Sequence, residues 1–555
     1  ILHLYEEHGK DCARHLRGMF AFALWDQKTR TLLLARDHLG QKPLFLYQDD
    51  ERFLFGSEIK AILASGLVQP QIDLEGLWHY VSMRFLPDRY TLFKGIQKLP
   101  AGTLLYLRDG ACHLERYWEV DFTRKSGAGE AQIVDELDSL LTETIQMHLL
   151  SDVRVGAFLS GGIDSSLVSA VMATINQAPQ PVPVFSVGVE EHSFNELPFA
   201  RMVAARHGLE AHEQVVEPDL IQLLPVMVHH MDEPADPYGA GVYFVSRLAR
   251  EKVKVVLTGD GGDENFAGYD RFVGQRLLDY YCLLPAWFRR QVAQRLVDRL
   301  PESFGYKSFA QKARWMNEMS FFSGGERYAH SMSALRFTQE AKQDLFTRTT
   351  QSGIEDYDSN RKIMDLFESD SVDHVVDRML YTDLMTRMPD HLLVTVDRMS
   401  MAHSLETRSP LIDHKVVEYA AAIPGDLKLK GNNLKYLLRK VAGRYLPSEL
   451  VTRKKQGFGF PLGIWMRTEL RQFMQNLFAE SRMIELGIFE AAYVRQLLDE
   501  HLSGARDHNY RLWLLISIEV WYRMSFEGRS VAAMGAEIER LQGKPGNGMR
   551  LDAAE

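Results

Sequence analysis

The chain has 555 residues, of which 46% are apolar and 25% charged, and a net charge of −10. That length exceeds a single core and implies two to four domains, while the composition is that of a soluble globular protein. The acidic balance disfavours non-specific binding to nucleic acid or to an anionic membrane.

Three scattered cysteines, Cys12, Cys112 and Cys282, exclude a disulfide framework and a thiolate zinc site and fit a reducing cytoplasm. The longest apolar candidate for a membrane span, residues 512–522, is broken by Glu519, so no insertion is expected. The chain opens on Ile1 inside an apparent helix (residues 1–8) rather than on Met, and is expected to be N-terminally incomplete.

Residues 19–26, 31–36, 44–47 and 52–56 alternate as short β-type runs, with Asp26-Gln27-Lys28, Leu39-Gly40 and Asp49-Asp50 as turns between them. A short helix over 58–64 and a further strand over 102–107 complete an antiparallel α+β pattern. Gly18-Met19-Phe20-Ala21-Phe22-Ala23, Ala35-Arg36-Asp37-His38-Leu39-Gly40-Gln41-Lys42-Pro43-Leu44 and Phe55-Gly56-Ser57-Glu58-Ile59-Lys60-Ala61 resemble the second half of a class II glutamine amidotransferase domain. In that family an N-terminal cysteine is the nucleophile and its own α-amino group the base. Both precede the segment that Ile1 matches, as do the family's glutamine-binding positions. Cys12 is no substitute, because it carries no free amino group, so the resemblance implies that the glutaminase nucleophile is absent from this chain.

Polar residues from about 118, ending in Ser126-Gly127-Ala128-Gly129, read as a linker. Helical spacing over 130–149 then leads into Val153-Arg154-Val155-Gly156-Ala157-Phe158-Leu159-Ser160-Gly161-Gly162-Ile163-Asp164-Ser165-Ser166. An apolar strand, a Ser-Gly-Gly turn and a hydroxylated helix start make an anion site, most naturally for phosphate. Beyond it strands at 182–189 and 253–257, and a short strand closed by Val215-Val216, alternate with helices at 198–206, 220–231 and 241–250. That order predicts a parallel sheet with helices on both faces and ligands at the carboxyl ends of its strands.

Ser160-Gly161-Gly162-Ile163-Asp164-Ser165-Ser166 resembles the pyrophosphate-binding loop of ATP pyrophosphatases of the asparagine synthetase kind. Thr258-Gly259-Asp260-Gly261-Gly262-Asp263-Glu264 and Phe185-Ser186-Val187-Gly188 occupy matching places in that family. The resemblance implies an α/β fold of the ATP-pyrophosphatase, adenine nucleotide α-hydrolase-like type with a large helical portion. It implies ATP held by Phe158, Leu159, Ser160, Gly161, Gly162, Asp164, Ser165, Val187, Thr258 and Gly259. Asp164 and Asp263, at two strand ends on one rim, are the expected magnesium ligands. Asp260 stands where well-studied bacterial relatives carry Glu, a carboxylate associated with the ammonia step.

Residues 270–388 are mostly helical in pattern and name no chemistry. In Asp397-Arg398-Met399 through Glu406-Thr407-Arg408-Ser409-Pro410, charges lie among apolar residues. Either Glu406 and Arg408 pair with each other or with Asp413, or Arg398 or Arg408 reaches the substrate or a phosphate. Arg453-Lys454-Lys455-Gln456-Gly457-Phe458 carries the lysine that in the family stabilises the departing pyrophosphate: Lys455, or Lys454 one register away.

The expected domains are 1–118 (amidotransferase part), 119–129 (linker), 130–527 (ATP-dependent amide-forming domain) and 528–555 (mobile tail). The chain is similar to glutamine-hydrolysing asparagine synthetases. The implied chemistry is adenylation of aspartate or a related carboxylate, with ammonia from glutamine giving the amide, AMP and pyrophosphate. The helical stretch around 283–337 also resembles amidotransferases of exopolysaccharide systems, which leaves a different acceptor open. A tRNA-modifying relative is disfavoured by the charge of −10 and the scattered cysteines. Small-molecule partners are expected, nucleic acid and membrane insertion are not, and a homodimer is left open.

Overall fold

The computed structural model describes residues 1–189, 195–216, 219–300, 309–453 and 460–543. Its N-terminal strands are β1 (Ala21–Asp26), β2 (Thr31–Arg36), β3 (Phe45–Gln48), β4 (Phe53–Gly56), β5 (Ile96–Lys98), β6 (Thr103–Arg108) and β7 (Ala111–Arg116). They form two antiparallel sheets, ordered β1-β2-β6-β7 and β4-β3-β5. Leu33 and Leu104 pack on Cys12 and Ala13, whereas Leu34 and Leu105 pack on Leu44, Leu46 and Leu99. Both faces of β2 are covered, which is why its sequence is a continuous apolar run rather than an alternating one. Cys12 is fully buried and its thiol is pushed up by that burial, so its role is structural.

At the end of β2 the Asp37 carboxylate accepts the backbone N–H groups of Leu39, Gln41 and Lys42 at 3.2, 2.9 and 2.9 Å. The Arg36 guanidinium donates to the carbonyls of Gly40, Lys42 and Leu99 at 2.8, 2.8 and 2.7 Å. Two buried charges thus satisfy a loop that has no regular partner of its own.

The second sheet has five strands: β8 (Val155–Phe158), β9 (Pro183–Gly188), β10 (Glu210–Val215), β11 (Val255–Leu257) and β12 (Glu406–Arg408). All are parallel, in the order β10-β9-β8-β11-β12. Ala157, Val184 and Leu257 point toward helices α1 (Glu130–His148), α2 (Ile163–Ile175) and α3 (Leu197–His207). Phe185 and Val256 point the other way, toward Ala249 of α4 (Tyr238–Arg250). The expected mixed α/β architecture is therefore present, with helices on both faces. The three residues of β12 are too few to show in a pattern of apolar residues.

The described residues between 270 and 525 are largely helical; those from 462 to 502 pack with α5 (Asn509–Ser525), whereas Phe272, Tyr328, Val376 and Leu384 belong to a separate core. Trp521 is fully buried; its indole N–H donates to the Asp232 carbonyl at 3.0 Å and its ring meets Phe93 at 5.5 Å. The N-terminal sheets are clamped to this body by Arg17–Asp413 (3.0 Å), Lys42–Asp397 (2.7 Å) and Lys98–Asp390 (2.7 Å). Because Trp521 joins both sides of that contact, Trp521→Ala is expected to cost about 3–5 kcal/mol in denaturant unfolding. A loss under about 1 kcal/mol would show that the indole is not a keystone of this core.

Candidate functional site

From β8 the chain runs outward through β9 to β10 on one side, while β11 and β12 lie on the other. The direction of strand order therefore reverses between β8 and β11, where open parallel sheets place ligands at the carboxyl edge. The two loops singled out from the sequence leave the sheet at this point. Leu257 pairs with Ala157, so Thr258 emerges beside the strand that leads into Ser160.

The first loop is closed by its own hydroxyls. Ser165 Oγ accepts the Ser160 N–H at 3.2 Å and lies 2.9 Å from Ser160 Oγ, which in turn accepts the Gly162 N–H at 3.2 Å. Gly161 has φ +80°, and a Cβ there would lie 2.8 Å from the Glu196 carbonyl. The second loop presses on the first through Gly259, whose Cβ would lie 2.4 Å from the Ser165 nitrogen. Glycine is required because backbone touches backbone. Thr258 is anchored from β12, with its N–H donating to the Arg408 carbonyl at 2.8 Å and its hydroxyl 2.5 Å from that of Ser409.

Above these loops a cavity of about 600 Å³ is lined by Phe158, Leu159, Ser160, Gly161, Gly162, Asp164, Ser165, Val187, Thr258, Gly259, Asp260 and Asp263. Twelve of the fourteen residues proposed from the sequence thus meet in one cleft. Arg408 does not. Its Nε pairs with Glu406 at 2.6 Å and its Nη1 donates to the carbonyls of His148 and Leu150 at 2.7 and 2.9 Å. Those carbonyls end helix α1 and lack helical partners, so a guanidinium caps them and β12 is tied to the helix. The expectation of a catalytic Arg408 is corrected accordingly. Arg398 is likewise structural, pairing with Glu58 at 3.1 Å and donating to the Ser57 carbonyl at 2.8 Å. Lys455 lies outside the described residues, as does Lys454.

The cleft also holds cations that the sequence did not single out. Lys435 Nζ lies between Asp164, in contact, and Asp263, at 2.7 Å. Burial by itself would pull this ammonium down, but the two carboxylates outweigh it and its pKa is raised. Lys435 sits in the left-handed region, φ 53°, a backbone state that a non-glycine residue keeps only when its surroundings enforce it. Arg453 lies 2.9 Å from Glu196, donates to the Gly161 carbonyl at 3.3 Å and stacks over Phe199 at 3.9 Å. Arg84, Arg336 and Arg387 line the wall away from the sheet, with Arg84 paired to Asp236 at 2.8 Å. The Asp260 carboxyl is raised by enclosure and by Asp164 and Asp263, against a hydrogen bond from Thr258. Two carboxylates, a glycine-lined helix start and a belt of cations suit a polyphosphate with its counter-ion.

Away from the cleft, Glu75, His79 and Asp356 bring potential metal-ligating atoms within 4.8 Å of one another. The Lys342 ammonium shares Ser359 Oγ with His79 Nδ1, at 2.6 and 2.8 Å, so a cation there would face a cation.

Residues 136–523 match the asparagine synthase family and residues 1–118 the glutamine amidotransferase domain. The chain is 31% identical to "Asparagine synthetase [glutamine-hydrolyzing] 1" of Bacillus subtilis over 95% of its own length and 81% of the relative's. It is 33% identical to a "Putative asparagine synthetase [glutamine-hydrolyzing]" of Mycobacterium tuberculosis, over 95% and 79%. It is 28% identical to "Amidase chyE" of Penicillium rubens, over 88% and 76%.

Replacing Lys435 by methionine keeps the stem and leaves two facing carboxylates without their shared cation. Lys435→Met is expected to lower stability by about 3 kcal/mol at neutral pH in thermal unfolding. The shift of Lys435 is upward, so its contribution is complete below its ordinary 10.5 and is lost only as pH rises through the raised value. The deficit of the variant should accordingly be constant from pH 6 to 9. A deficit that vanishes within that window would contradict the assignment.

Proposed function

This chain belongs to the asparagine synthase family, and we propose that its cleft adenylates aspartate or a related carboxylate and converts the adenylate to an amide with ammonia derived from glutamine. The family uses ATP as a substrate, and its glutamine-hydrolysing members are carbon–nitrogen ligases. The observation that carries the reading is the convergence of the Ser160–Ser165 and Thr258–Asp263 loops, by way of Lys435, at the switch point of the sheet. We read that sheet as the ATP-pyrophosphatase, adenine nucleotide α-hydrolase-like type. We assign 1–118 to the amidotransferase part, 119–129 to a linker and 130–527 to the amide-forming domain; the expected mobile tail from 528 is corrected over Val531–Leu541, a helix whose Met534, Ile538 and Leu541 are buried in the same core as Trp521.

In this reading adenine lies against Val187 and the phosphates over the start of α2, where unpaired N–H groups and the helix dipole favour negative charge. An acceptor carboxylate oxygen bonds to the α-phosphorus while the bond from that phosphorus to the bridging oxygen breaks and pyrophosphate leaves. Ammonia then adds to the acyl carbon, the bond to the AMP oxygen breaks, and an amide proton is released. Lys435 and Arg453, with Lys455 by resemblance, balance the negative charge that grows on the departing pyrophosphate. Asp260 faces the ammonia step. The donor set fits magnesium, since Asp164 and Asp263 are hard oxygen ligands whose shared space already holds a positive charge. Bound there, the ion supplies charge neutralisation on the polyphosphate.

The wall of Arg84, Arg336 and Arg387 suits an anionic acceptor such as aspartate. The helical side of the cleft and Asp260 in place of Glu leave a larger carboxylate as the second reading. Incubation with ATP, ammonium and a panel of carboxylates, with pyrophosphate as the readout, decides between them.

Asp164→Asn and Asp263→Asn are each expected to lower pyrophosphate release by at least about 100-fold, measured below the unfolding transition of each variant, since loss of a carboxylate also weakens the contact with Lys435. Near-normal turnover of either variant at saturating magnesium would overturn the two-ligand assignment. Gly259→Ala forces the two loops apart by backbone collision, and a misplacement of about 1 Å costs about 100-fold in such sites. The thermal shift on adding ATP should disappear in Gly259→Ala and persist in Gly127→Ala, where a Cβ meets nothing within 4 Å and φ is not positive.

A further inference from the structure

Helix Ala286–Phe288 runs without a break through a π-turn, Arg289–Ala293, into Gln294–Asp298. The wider turn matters for which residues share a line. Trp287 to Val292 is five residues, one π-turn, and Val292 to Leu296 is four, one α-turn, so the three side chains fall on a single stripe. That stripe faces solvent: Trp287 is 60% exposed and Leu296 58%, and Leu283, just before the helix, is 80% exposed. Large apolar groups this exposed in an unbroken row mark an interaction surface rather than ordinary surface scatter.

The charges beside the stripe say what it meets. Residues 283–300 carry four arginines and one aspartate, a local +3 in a chain whose net charge is −10. Arg290, Arg295 and Arg299 are exposed along the same helix. A second copy of this chain is a poor occupant, because self-pairing of the stripe would bring these arginines against their counterparts. A soluble acidic surface would satisfy the arginines but not Leu283, Trp287 and Leu296 together. An anionic bilayer satisfies both: apolar side chains enter the acyl boundary, the indole sits at the headgroup level, and the guanidiniums meet phosphates. We propose that the helix spanning residues 286–298, with Leu283, docks this protein on the surface of an anionic lipid bilayer without crossing it. No described helix is long and apolar enough to cross a membrane, which accords with docking in the plane of the interface. The proposal does not depend on how the cleft is read.

The test is co-sedimentation of the whole chain with vesicles of phosphatidylglycerol and phosphatidylcholine, against vesicles of phosphatidylcholine alone. The expected result is retention on the anionic vesicles that weakens in 0.5 M NaCl. The double variant Leu283→Glu/Trp287→Glu should abolish it. Arg295→Glu/Arg299→Glu should reduce it by about fivefold or more per residue, with the apolar stripe intact. All four side chains are exposed, so thermal unfolding should be unchanged in both variants. Failure to bind anionic vesicles, or equal retention of both variants, would overturn the proposal. So would a dimer in sedimentation velocity that Leu283→Glu/Trp287→Glu dissolves, because the stripe would then belong to a second copy.

Discussion

One ammonium group organises the cleft. Asp164 comes from the helix start after β8, Asp263 from the loop after β11, and Lys435 from a segment far along the chain. Two carboxylates this close repel, and a lysine this enclosed loses hydration, so none of the three is tolerable alone. Together they fix the distance between the loops, and Gly259 and Gly262 each lack a side chain that would hold those loops apart. The rest follows from where the sheet puts them: β8 and β11 are neighbours, both loops leave the same edge, and the helical body must cover that edge to deliver Lys435.

The same logic of shared charge joins the N-terminal sheets to this body. Arg17, Lys42 and Lys98 each find an aspartate on the helical side, and the pairs are largely withdrawn from water. Such pairs add modest net stability but penalise every misaligned docking, in which a buried charge would lose its partner. Trp118 adds a directional contact, its indole N–H donating to Glu418 at 2.9 Å. The orientation of the N-terminal sheets on this body is therefore set by electrostatic matching, with apolar packing around Trp521 holding the contact closed.

Much of this was legible in the chain. Continuous apolar runs marked the buried strands, the glycine clusters marked the loops where backbone meets backbone, and β2 and helix Leu220–Met231 fall where periodicity places them. What escaped was long-range. Lys435 stands in an unremarkable polar turn before a helix, and nothing local distinguishes it from a solvated lysine. Arg408 misled for the complementary reason: a charge amid apolar residues signals a partner, but the partners were helix-end carbonyls near residue 150, some 260 positions away. Strands β5, β7 and β12 were missed because β7 is polar and half exposed and the other two are only three residues long.

The floor and the wall of the cleft have separate origins. The two glycine loops come from the sheet and are interlocked atom against atom, whereas Arg84, Arg336 and Arg387 come from three distant segments, and Arg387 reaches the second loop through Tyr269, whose hydroxyl donates to Glu264. Arg84 instead pairs with Asp236, away from both glycine loops. A cleft divided in this way can vary on one side while its sheet-borne side stays fixed, and it locates the positions at which a designer should draw the library.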